Sequence, residues 1–186
     1  MPFIKTNIPG LLVFEPEVFE DSRGYFYESY NENLFLKEGI EVKFVQDNQS
    51  RSGYGVIRGL HYQLNPFSQS KLVRVLSGSI LDVAVDIRKN SPAYLQSYSI
   101  ELSSENKKQI FVPKGFAHGY SVLSETAEIF YKCDNFWNKE TEGGIMYNDA
   151  QLNIDWKIPE EKVIISKKDM GFPRFENSRH NFYFSS

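Results

Sequence analysis

The sequence predicts an all-β fold, an antiparallel barrel or sandwich with a few short helices. Segments in which apolar and polar residues alternate outnumber helical ones, and glycine and proline interrupt them at regular spacing. Aromatic residues, which favour strands, are abundant, with 15 Phe, 11 Tyr and 2 Trp. The chain has 186 residues, enough to bury a large core, so we expect one domain over residues 1–186.

The clearest element is a β-hairpin in "KLVRVLSGSILDVAVDIR" (71–88), with "SGS" as its turn. In its second arm an apolar row from Leu81 to Ile87 alternates with Asp82, Ala84 and Asp86. The same reasoning predicts further strands at 11–14, 24–30, 42–48, 55–63, 97–102, 109–112, 118–123, 126–133 and 163–166.

Helical segments are few. "NENLFLKEG" (31–39) is polar at its start and ends at Gly39, as a helix with a glycine just past its last turn would. "KKDMGF" (167–172) predicts a final helical turn. The sequence therefore favours a β-barrel with small helical additions.

Composition excludes several classes of protein. The net charge of −3 and pI near 5.7 give no reason to bind nucleic acid or an anionic membrane. No run of 18 apolar residues is present, and the N-terminus lacks the apolar core of a signal peptide. A single cysteine, Cys133, rules out an intramolecular disulfide and fits a reducing compartment, so we expect a cytoplasmic location.

Strand alternation indicates which polar side chains share a face with apolar ones. Along 57–63, His61 shares a face with Ile57 and Gly59, while Arg58 takes the other face. Three more polar residues lie on apolar faces of their strands: Lys71, His118 and Tyr131. An inward histidine alone is more often a core residue, but an unpaired buried lysine is costly. The set is therefore better explained by a ligand pocket inside the barrel.

A metal site is the first alternative. Small barrels that bind metals carry an H-x-H pair, but Gln63 stands two residues after His61, and His180 lies in a polar tail. A site built from His61, His118 and a carboxylate stays open, although the histidine-rich shell typical of transition metals is missing. We therefore expect no metal.

An imidazole, an ammonium and a phenol together suit proton transfer next to a carbonyl. Histidine titrates near neutral pH, so His61 can take the proton. Base catalysis alone gives only about 10²–10⁴-fold, so a cation such as Lys71 must stabilise the enolate oxygen. Tyr131 can return a proton on the opposite face and so invert the carbon. A barrel tyrosine with a satisfied hydroxyl is the equal alternative.

Other polar residues suggest binding. "DSRGYFYE" (21–28) presents Arg23 at a turn, then Phe26 and Glu28 on one strand face. "QDNQS" (46–50) and Arg58 add hydrogen-bond donors, and arginine suits phosphate oxygens. Asp169 in "KKD" supplies a carboxylate that could orient His61.

Taken together, the motifs resemble the dTDP-4-dehydrorhamnose 3,5-epimerase family, whose members are cupin-type barrels that invert carbons 3 and 5 of a dTDP-4-keto-6-deoxyhexose. The matching segments run in order over nearly the whole chain: "DSRGYFYESYNE", "FVQDNQSRSGYGVIRGLHYQ", "KLVRVLSGSILDVAVDIRKNSP", "FVPKGFAHGYSVLSETAEIFYKC", "EGGIMYND", "IDW" and "ISKKD". Each is weak alone, and together they are highly specific. The departures are Ser70 in place of a frequent glycine and a tail after Phe172 that matches nothing firmly. "NFWN" (135–138) keeps aromatics where the family has them, and the resemblance implies that their identity can affect which carbons are epimerised.

The resemblance implies a role for each matching residue. His61 would accept the proton with Asp169 as its orienting partner, Tyr131 would donate one, and Lys71 would stabilise the enolate oxygen. The nucleotide-sugar would be bound by Arg23, Phe26, Glu28, Gln46, Asp47, Asn48, Arg58, Lys71, His118, Glu142 and Lys168.

The resemblance also implies partners and cofactors. Family members need no metal or redox cofactor and act as homodimers. The N-terminal segment, about residues 1–30, reaches the partner's barrel, so Arg23, Phe26 and Glu28 would serve the neighbouring active site. Two alternatives stay open: a relative that epimerises only carbon 3 or uses another nucleotide-sugar, and a cupin that merely holds a carbohydrate or a metal.

Overall fold

The computed structural model describes residues 2–185. The strands are β1 (Phe3–Lys5), β2 (Leu12–Phe14), β3 (Val18–Asp21), β4 (Gly24–Tyr27), β5 (Gln46–Gly53), β6 (Val56–Gln63), β7 (Lys71–Ser77), β8 (Ser79–Asp86), β9 (Ser97–Ser103), β10 (Gln109–Val112), β11 (Phe116–Val122), β12 (Thr126–Cys133), β13 (Glu142–Gly144) and β14 (Ile164–Ile165). The helices are α1 (Glu32–Lys37) and α2 (Lys167–Met170), and 3-10 turns lie at Lys139–Thr141, Glu160–Lys162 and Phe175–Asn177.

Most strands belong to two sheets that face each other. The first has the order β1-β2-β10-β7-β12-β5, and the second has the order β13-β6-β11-β8-β9, with β14 paired in parallel to β6. β3 and β4 form a separate two-stranded ribbon. The predicted all-β fold, a cupin-like jelly roll with short helices, is thereby confirmed. Within residues 2–185, no helix has the length and apolar character needed to cross a membrane.

The second sheet is buried on both faces. An inner core lies between the sheets and includes Val73 and Ile129 from the first sheet and Ile80 from the second. An outer core lies on the other face of the second sheet, where the C-terminal part of the chain packs. The apolar row from Leu81 to Ile87 belongs to this outer core, so the opposite face of β8 points into the barrel.

The hairpin predicted over 71–88 is wrong. Its two arms are the strands β7 and β8, but β7 pairs with β10 and β12 in the first sheet and β8 pairs with β11 and β9 in the second, so the two do not pair with each other. Alternation locates strands along the chain but does not show which strands pair. The chain passes from one sheet to the other at Gly78. This glycine has φ +77°, which residues with a side chain rarely adopt. A Cβ here would also lie 2.1 Å from the carbonyl oxygen of Thr126. The predicted "SGS" turn therefore links two sheets instead of closing a hairpin, and it requires glycine for two reasons.

The strand predicted at 42–48 begins later in the structure, as β5 at 46–53. Val42 and Phe44 pack instead against a cluster around Phe35 of α1. β5 itself is polar and is held by its backbone pairing with β12 over all eight residues. An edge strand that is held by backbone pairing needs no alternation of apolar and polar residues. The prediction followed the apolar residues before the strand and therefore placed its start four residues too early. The prediction also missed the short strands β1, β3 and β13 and extended β4 beyond Tyr27.

Strand alternation changes phase within β6. His118 pairs with His61, but Tyr120 pairs with Arg58. Two residues of β6, Gly59 and Leu60, therefore lie opposite a single residue of β11, Gly119. This bulge moves Ile57 into the outer core, away from the face that carries His61. The prediction that Ile57 shares a face with His61 is therefore wrong.

Two glycines make the bulge possible. Gly59 has φ +135°, and a Cβ at this position would lie 2.6 Å from the Cα of Gly119. Only residues without a side chain allow the two backbones to approach so closely.

The predicted helix is α1, shorter than expected by about a residue at each end. The side chain of Asn31 accepts a hydrogen bond from the amide of Asn33 and caps the helix, and Gly39 follows with φ +84°. The predicted turn in "KKDMGF" is α2.

Candidate active site

A cavity of about 440 Å³ lies at the end of the barrel where β6 and β12 finish and β5 and β7 begin. Its walls combine residues from these strands with residues from the neighbouring loops: Gln46, Asn48, His61, Tyr62, Gln63, Gln69, Lys71, Tyr131, Phe136, Trp137 and Glu142. Three of the four predicted catalytic residues therefore lie in one cavity, and the fourth, Asp169, lies directly behind it.

β6 places the imidazole of His61 at the cavity wall, with 31% of the side chain exposed. Its Nε2 lies 2.9 Å from Oδ1 of Asp169, a residue of α2 that is almost fully buried. The other carboxylate oxygen accepts the amide N–H of Gly59 at 3.3 Å. Ser166 caps α2 by accepting the amide N–H of Asp169. The helical turn therefore exists where it can orient the imidazole.

The protonation of this pair follows from its contacts. Burial raises the pKa of Asp169, but the hydrogen bonds from His61 and from the Gly59 amide outweigh burial and hold the pKa below its ordinary value. An ionised carboxylate only accepts hydrogen bonds, so Nε2 of His61 must carry the proton. Nδ1 then keeps its lone pair, as a general base requires.

Lys71 opens β7 and pairs across the sheet with Cys133. In the described part of the chain its ammonium has no ion-pair partner. Burial lowers the pKa of Lys71, while Cys133, Asp82 and Glu142 act in the opposite direction. The ammonium lies 5.8 Å from the ring centroid of Tyr131. A cation that is unpaired inside the barrel can stabilise an oxyanion that forms in the cavity.

Tyr131 on β12 contributes a phenol. Burial raises the pKa of Tyr131 to about 12, with added effect from Cys133 and Tyr120, and the charge of Arg58 acts against the rise. No residue in 2–185 hydrogen-bonds to its hydroxyl, whereas the hydroxyl of Tyr120 lies 2.9 Å from Oγ of Ser50. The phenol keeps its proton at neutral pH and is free to donate it. These contacts disfavour the reading of Tyr131 as a barrel tyrosine with a satisfied hydroxyl.

Beside His61, a second histidine is tied to a carboxylate. His118 is the cross-strand partner of His61, and its Nε2 lies 2.9 and 3.0 Å from the two oxygens of Asp82. Both side chains are buried, and neither lines the cavity. Sequence reasoning did not select Asp82, although alternation had placed this carboxylate with Ala84, on the face that points into the barrel.

Gln63 closes the wall next to His61. Its Oε1 accepts the amide N–H of Asn138 at 3.0 Å and the hydroxyl of Thr141 at 2.8 Å, so it anchors the loop after β12. Residues 2–185 hold no group of three or more His, Cys, Asp or Glu side chains arranged for a metal ion.

The cavity mouth contains residues that sequence reasoning did not select. Phe136 and Trp137 are more than half exposed, and the amide of Trp137 donates to Oε1 of Gln46 at 3.0 Å. Gln69 donates through Nε2 to the carbonyl of Asn135 at 2.7 Å. The signal in the sequence was the adjacent pair Phe136 and Trp137 in the otherwise polar segment "NFWN", which could have indicated a binding surface.

The predicted binding residues divide into two groups. Gln46, Asn48, Lys71 and Glu142 line the cavity. Lys168 lies at its edge, with Nζ 2.5 Å from a carboxylate oxygen of Glu142. Arg58 donates to Ser52 Oγ at 3.1 Å, and its charge acts on the tyrosines inside the barrel, so the bulge turns it toward the side from which alternation excluded it.

The other seven predicted binding residues do not line the cavity within this chain. Arg58, His118 and Lys168 lie on elements next to it, and Arg23, Phe26, Glu28 and Asp47 lie away from it. Arg23 and Phe26 are exposed on the β3–β4 ribbon, where Arg23 pairs with Asp21, and exposed Glu28 follows the ribbon. Alternation along β5 turns Asp47 to the opposite face from Gln46, where it pairs with Lys132 at 3.0 Å.

Comparison with known proteins shows what the chain is similar to. The family model for dTDP-4-dehydrorhamnose 3,5-epimerase matches residues 5–177. The dTDP-4-dehydrorhamnose 3,5-epimerase of Shigella flexneri is 51% identical over 176 residues, which cover 94% of this chain and 96% of that protein.

Solved structures agree as well. The crystal structure of dTDP-4-dehydrorhamnose 3,5-epimerase from Elizabethkingia anophelis is 54% identical, with a TM-score of 0.91 and coverage of 94% of this chain and 96% of that one. The dTDP-6-deoxy-D-glucose-3,5-epimerase of Legionella pneumophila, in complex with dTDP-4-keto-L-rhamnose, is 47% identical, with a TM-score of 0.90 and coverage of 94% and 93%. The family model and the relatives, which cover nearly the whole chain, show that it belongs to the dTDP-4-dehydrorhamnose 3,5-epimerase family.

Proposed function

We propose that this protein converts dTDP-4-dehydro-6-deoxy-D-glucose to dTDP-4-dehydro-L-rhamnose by inverting carbons 3 and 5. The observation that carries the proposal is one cavity that combines an oriented imidazole, an unpaired ammonium and a protonated phenol: His61, Lys71 and Tyr131. The solved Legionella relative holds dTDP-4-keto-L-rhamnose, the product that this reaction would form.

The chemistry begins at a carbon next to the C4 carbonyl. Nδ1 of His61 takes the proton of that carbon, and the electron pair of the C–H bond moves onto the carbonyl oxygen to form an enolate. The ammonium of Lys71 stabilises the negative oxygen. Asp169 stabilises the imidazolium that forms, because the buried carboxylate already accepts the Nε2–H.

Inversion requires a second proton source. In the proposed sequence, the phenol of Tyr131 donates its proton to the opposite face of the enolate, and the carbonyl re-forms. Transfer of a proton from the imidazolium back to the phenolate, through water or the substrate, restores both groups. The same steps at the second carbon complete the reaction.

The dTDP moiety needs contacts beyond the catalytic group. Gln46, Asn48 and Glu142 offer amide and carboxylate groups in the cavity wall, and Phe136 and Trp137 offer flat surfaces at its mouth. Aromatic rings of this kind can stack on a nucleobase. Arg58 and Lys168 would add positive charge around the diphosphate.

We also propose a homodimer, in which the β3–β4 ribbon serves a second copy of the chain. Phe19 and Phe26 are directly opposed on the ribbon and share one face, and they are 56% and 71% exposed. On the other face, Tyr25 and Tyr27 contact the barrel through Lys107 and Arg74. The free phenylalanine face would carry Arg23 and Glu28 toward the partner's cavity.

Deuterium exchange tests the activity directly. Incubation of the nucleotide-sugar with the protein in D2O should place deuterium at carbons 3 and 5, as followed by NMR and mass spectrometry. His61→Ala should reduce exchange by at least about 10²–10⁴-fold, the usual contribution of a general base. His180→Ala, which changes a histidine in the tail, serves as the matched control.

Each outcome of this assay has a distinct meaning. Exchange confined to carbon 3 would select a single-site epimerase. Full exchange by His61→Ala would overturn the assignment of the base. Absence of exchange across several nucleotide-linked 4-keto sugars, together with stoichiometric bound metal, would favour a carbohydrate-holding or metal-binding cupin.

A further inference from the structure

We propose that Phe172 is a positioning residue for the proton transfer. Its ring fixes the plane of the His61 imidazole, and Asp169 fixes the proton on that imidazole. This inference rests on the proposed function of His61 as the base. It adds a residue that the sequence motifs did not include, because Phe172 lies where the matching segments end.

The contact is direct. The rings of Phe172 and His61 have centroids 5.5 Å apart and planes at 71°, an edge-to-face arrangement. Phe172 lies three residues after Asp169, and its amide donates to the carbonyl of Asp169 at 3.3 Å. Phe172 follows Gly171, the residue that caps the end of α2. The α2 turn and the residues directly after it therefore bring a carboxylate and an aromatic ring to the same imidazole.

The space for the ring depends on a glycine. Gly144 of β13 is the cross-strand partner of His61, and a Cβ at Gly144 would lie 2.5–2.6 Å from three carbons of the Phe172 ring. The backbone next to the ring is held as well, since the amide of Met146 donates to the carbonyl of Pro173 at 2.9 Å. Phe172 thus occupies a fixed place between β13 and His61.

A second support for the imidazole is needed because its single hydrogen bond to Asp169 leaves the ring free to rock about that bond. His61 is 31% exposed, so the surrounding core does not enclose it. Phe172 supplies packing on the side of the imidazole that lies next to Gly144 of β13. A displacement of about 1 Å in a reacting group can lower the rate by roughly 10²-fold.

Kinetics of Phe172→Ala test this role. We expect kcat for deuterium exchange to fall about 10- to 100-fold, with KM within roughly twofold of the wild type because Phe172 does not line the cavity. Phe182→Leu is the matched control, since Phe182 is a buried tail aromatic of the outer core. The control should lose stability but keep the wild-type kcat. Equal losses of kcat in both variants would reduce Phe172 to a structural residue and overturn the proposal.

A spectroscopic measurement gives an answer that does not depend on activity. The chain has three histidines, so the ring nitrogens of His61 can be assigned by NMR with His118→Gln and His180→Gln variants. Asp169 should hold His61 as the Nε2–H tautomer in both the wild type and Phe172→Ala, but the ring signals of His61 should show increased motion in Phe172→Ala, as measured by ring relaxation. Unchanged ring relaxation of His61 together with an unchanged kcat would refute the inference. A wild type that shows the tautomer but no exchange would refute the proposed function instead.

Gly144→Ala perturbs the same contact from the other side. The new methyl group should displace the Phe172 ring and lower kcat as Phe172→Ala does. In the double variant Gly144→Ala/Phe172→Ala, the ring that the methyl group would displace is already absent. Its kcat should therefore match that of Phe172→Ala alone. Multiplicative losses in the double variant would show that Gly144 acts by another route and would count against the proposed contact.

Discussion

The phenol of Tyr131 holds its proton over the whole physiological pH range, because burial raises its pKa to about 12. Its hydroxyl also has no hydrogen-bond partner in residues 2–185, so no neighbour supplies a replacement proton on that face. We expect Tyr131→Phe to retain deuterium exchange through His61 and to lose inversion by about 10²-fold or more. Exchange followed by mass spectrometry, and product stereochemistry followed by NMR, separate the two steps. Equal loss of both would count against the donor role.

The residues of the candidate site differ in how readily they could be identified from the sequence. His61, Lys71 and Tyr131 stood out because alternation placed polar groups on apolar strand faces. Asp82 and Phe172 did not, since their importance lies in contacts with residues far away in the chain. Local alternation gives the face of a side chain but not its partner across the sheet.

Among the elements, strands with apolar alternation were predicted closely, and 126–133 agrees with β12 at both ends. The start of β5 was misplaced because its eight residues, none of them apolar, are held by backbone pairing with β12. The bulge in β6 was invisible, because a change of phase requires knowledge of how β6 pairs with β11. Most elements could thus be predicted from the sequence. The exceptions depend on which strands pair and in what register, which local alternation does not show.

The tail after Phe172 has a role that no motif indicated. Phe182 is buried in the outer core, the ring of Phe184 lies 4.9 Å from the guanidinium of Arg88, and the carbonyl of Arg179 accepts the hydroxyl of Tyr62 at 2.7 Å. Removal of residues 179–186 should lower the free energy of unfolding by about 3–5 kcal/mol, the range for loss of a buried phenylalanine. Urea unfolding measures the loss.

Because no tail residue lines the cavity, KM of the shortened chain should stay close to that of the wild type at temperatures where it is folded. Tyr183→Ala, which removes a side chain that is 66% exposed, is the control and should be nearly neutral. The free energy of unfolding extrapolated from urea carries an error of about 1 kcal/mol. A value for the shortened chain that differs from the wild type by no more than this error would show that the tail does not stabilise the barrel.

For the molecule as a whole, the proposed dimer depends on the exposed phenylalanine face of the β3–β4 ribbon. Phe26→Asp should raise the dissociation constant of the dimer by about 30-fold or more, as expected for loss of a central aromatic contact. Sedimentation velocity over a range of concentrations measures the change. Ile164→Asp alters another apolar side chain, 56% exposed, and should leave association unchanged. A wild type that stays monomeric at every concentration would contradict the dimer.

The pairing of His61 with Asp169 joins two residues that are 108 positions apart. During synthesis, every strand from β5 to β12 leaves the ribosome before α2 does. A nascent chain that ends before Ser166 would already contain the lysine and the tyrosine of the cavity, but its imidazole would have neither its carboxylate nor its aromatic support. Catalytic competence therefore arises late in translation, and prematurely terminated chains would lack it even where their barrel strands have paired.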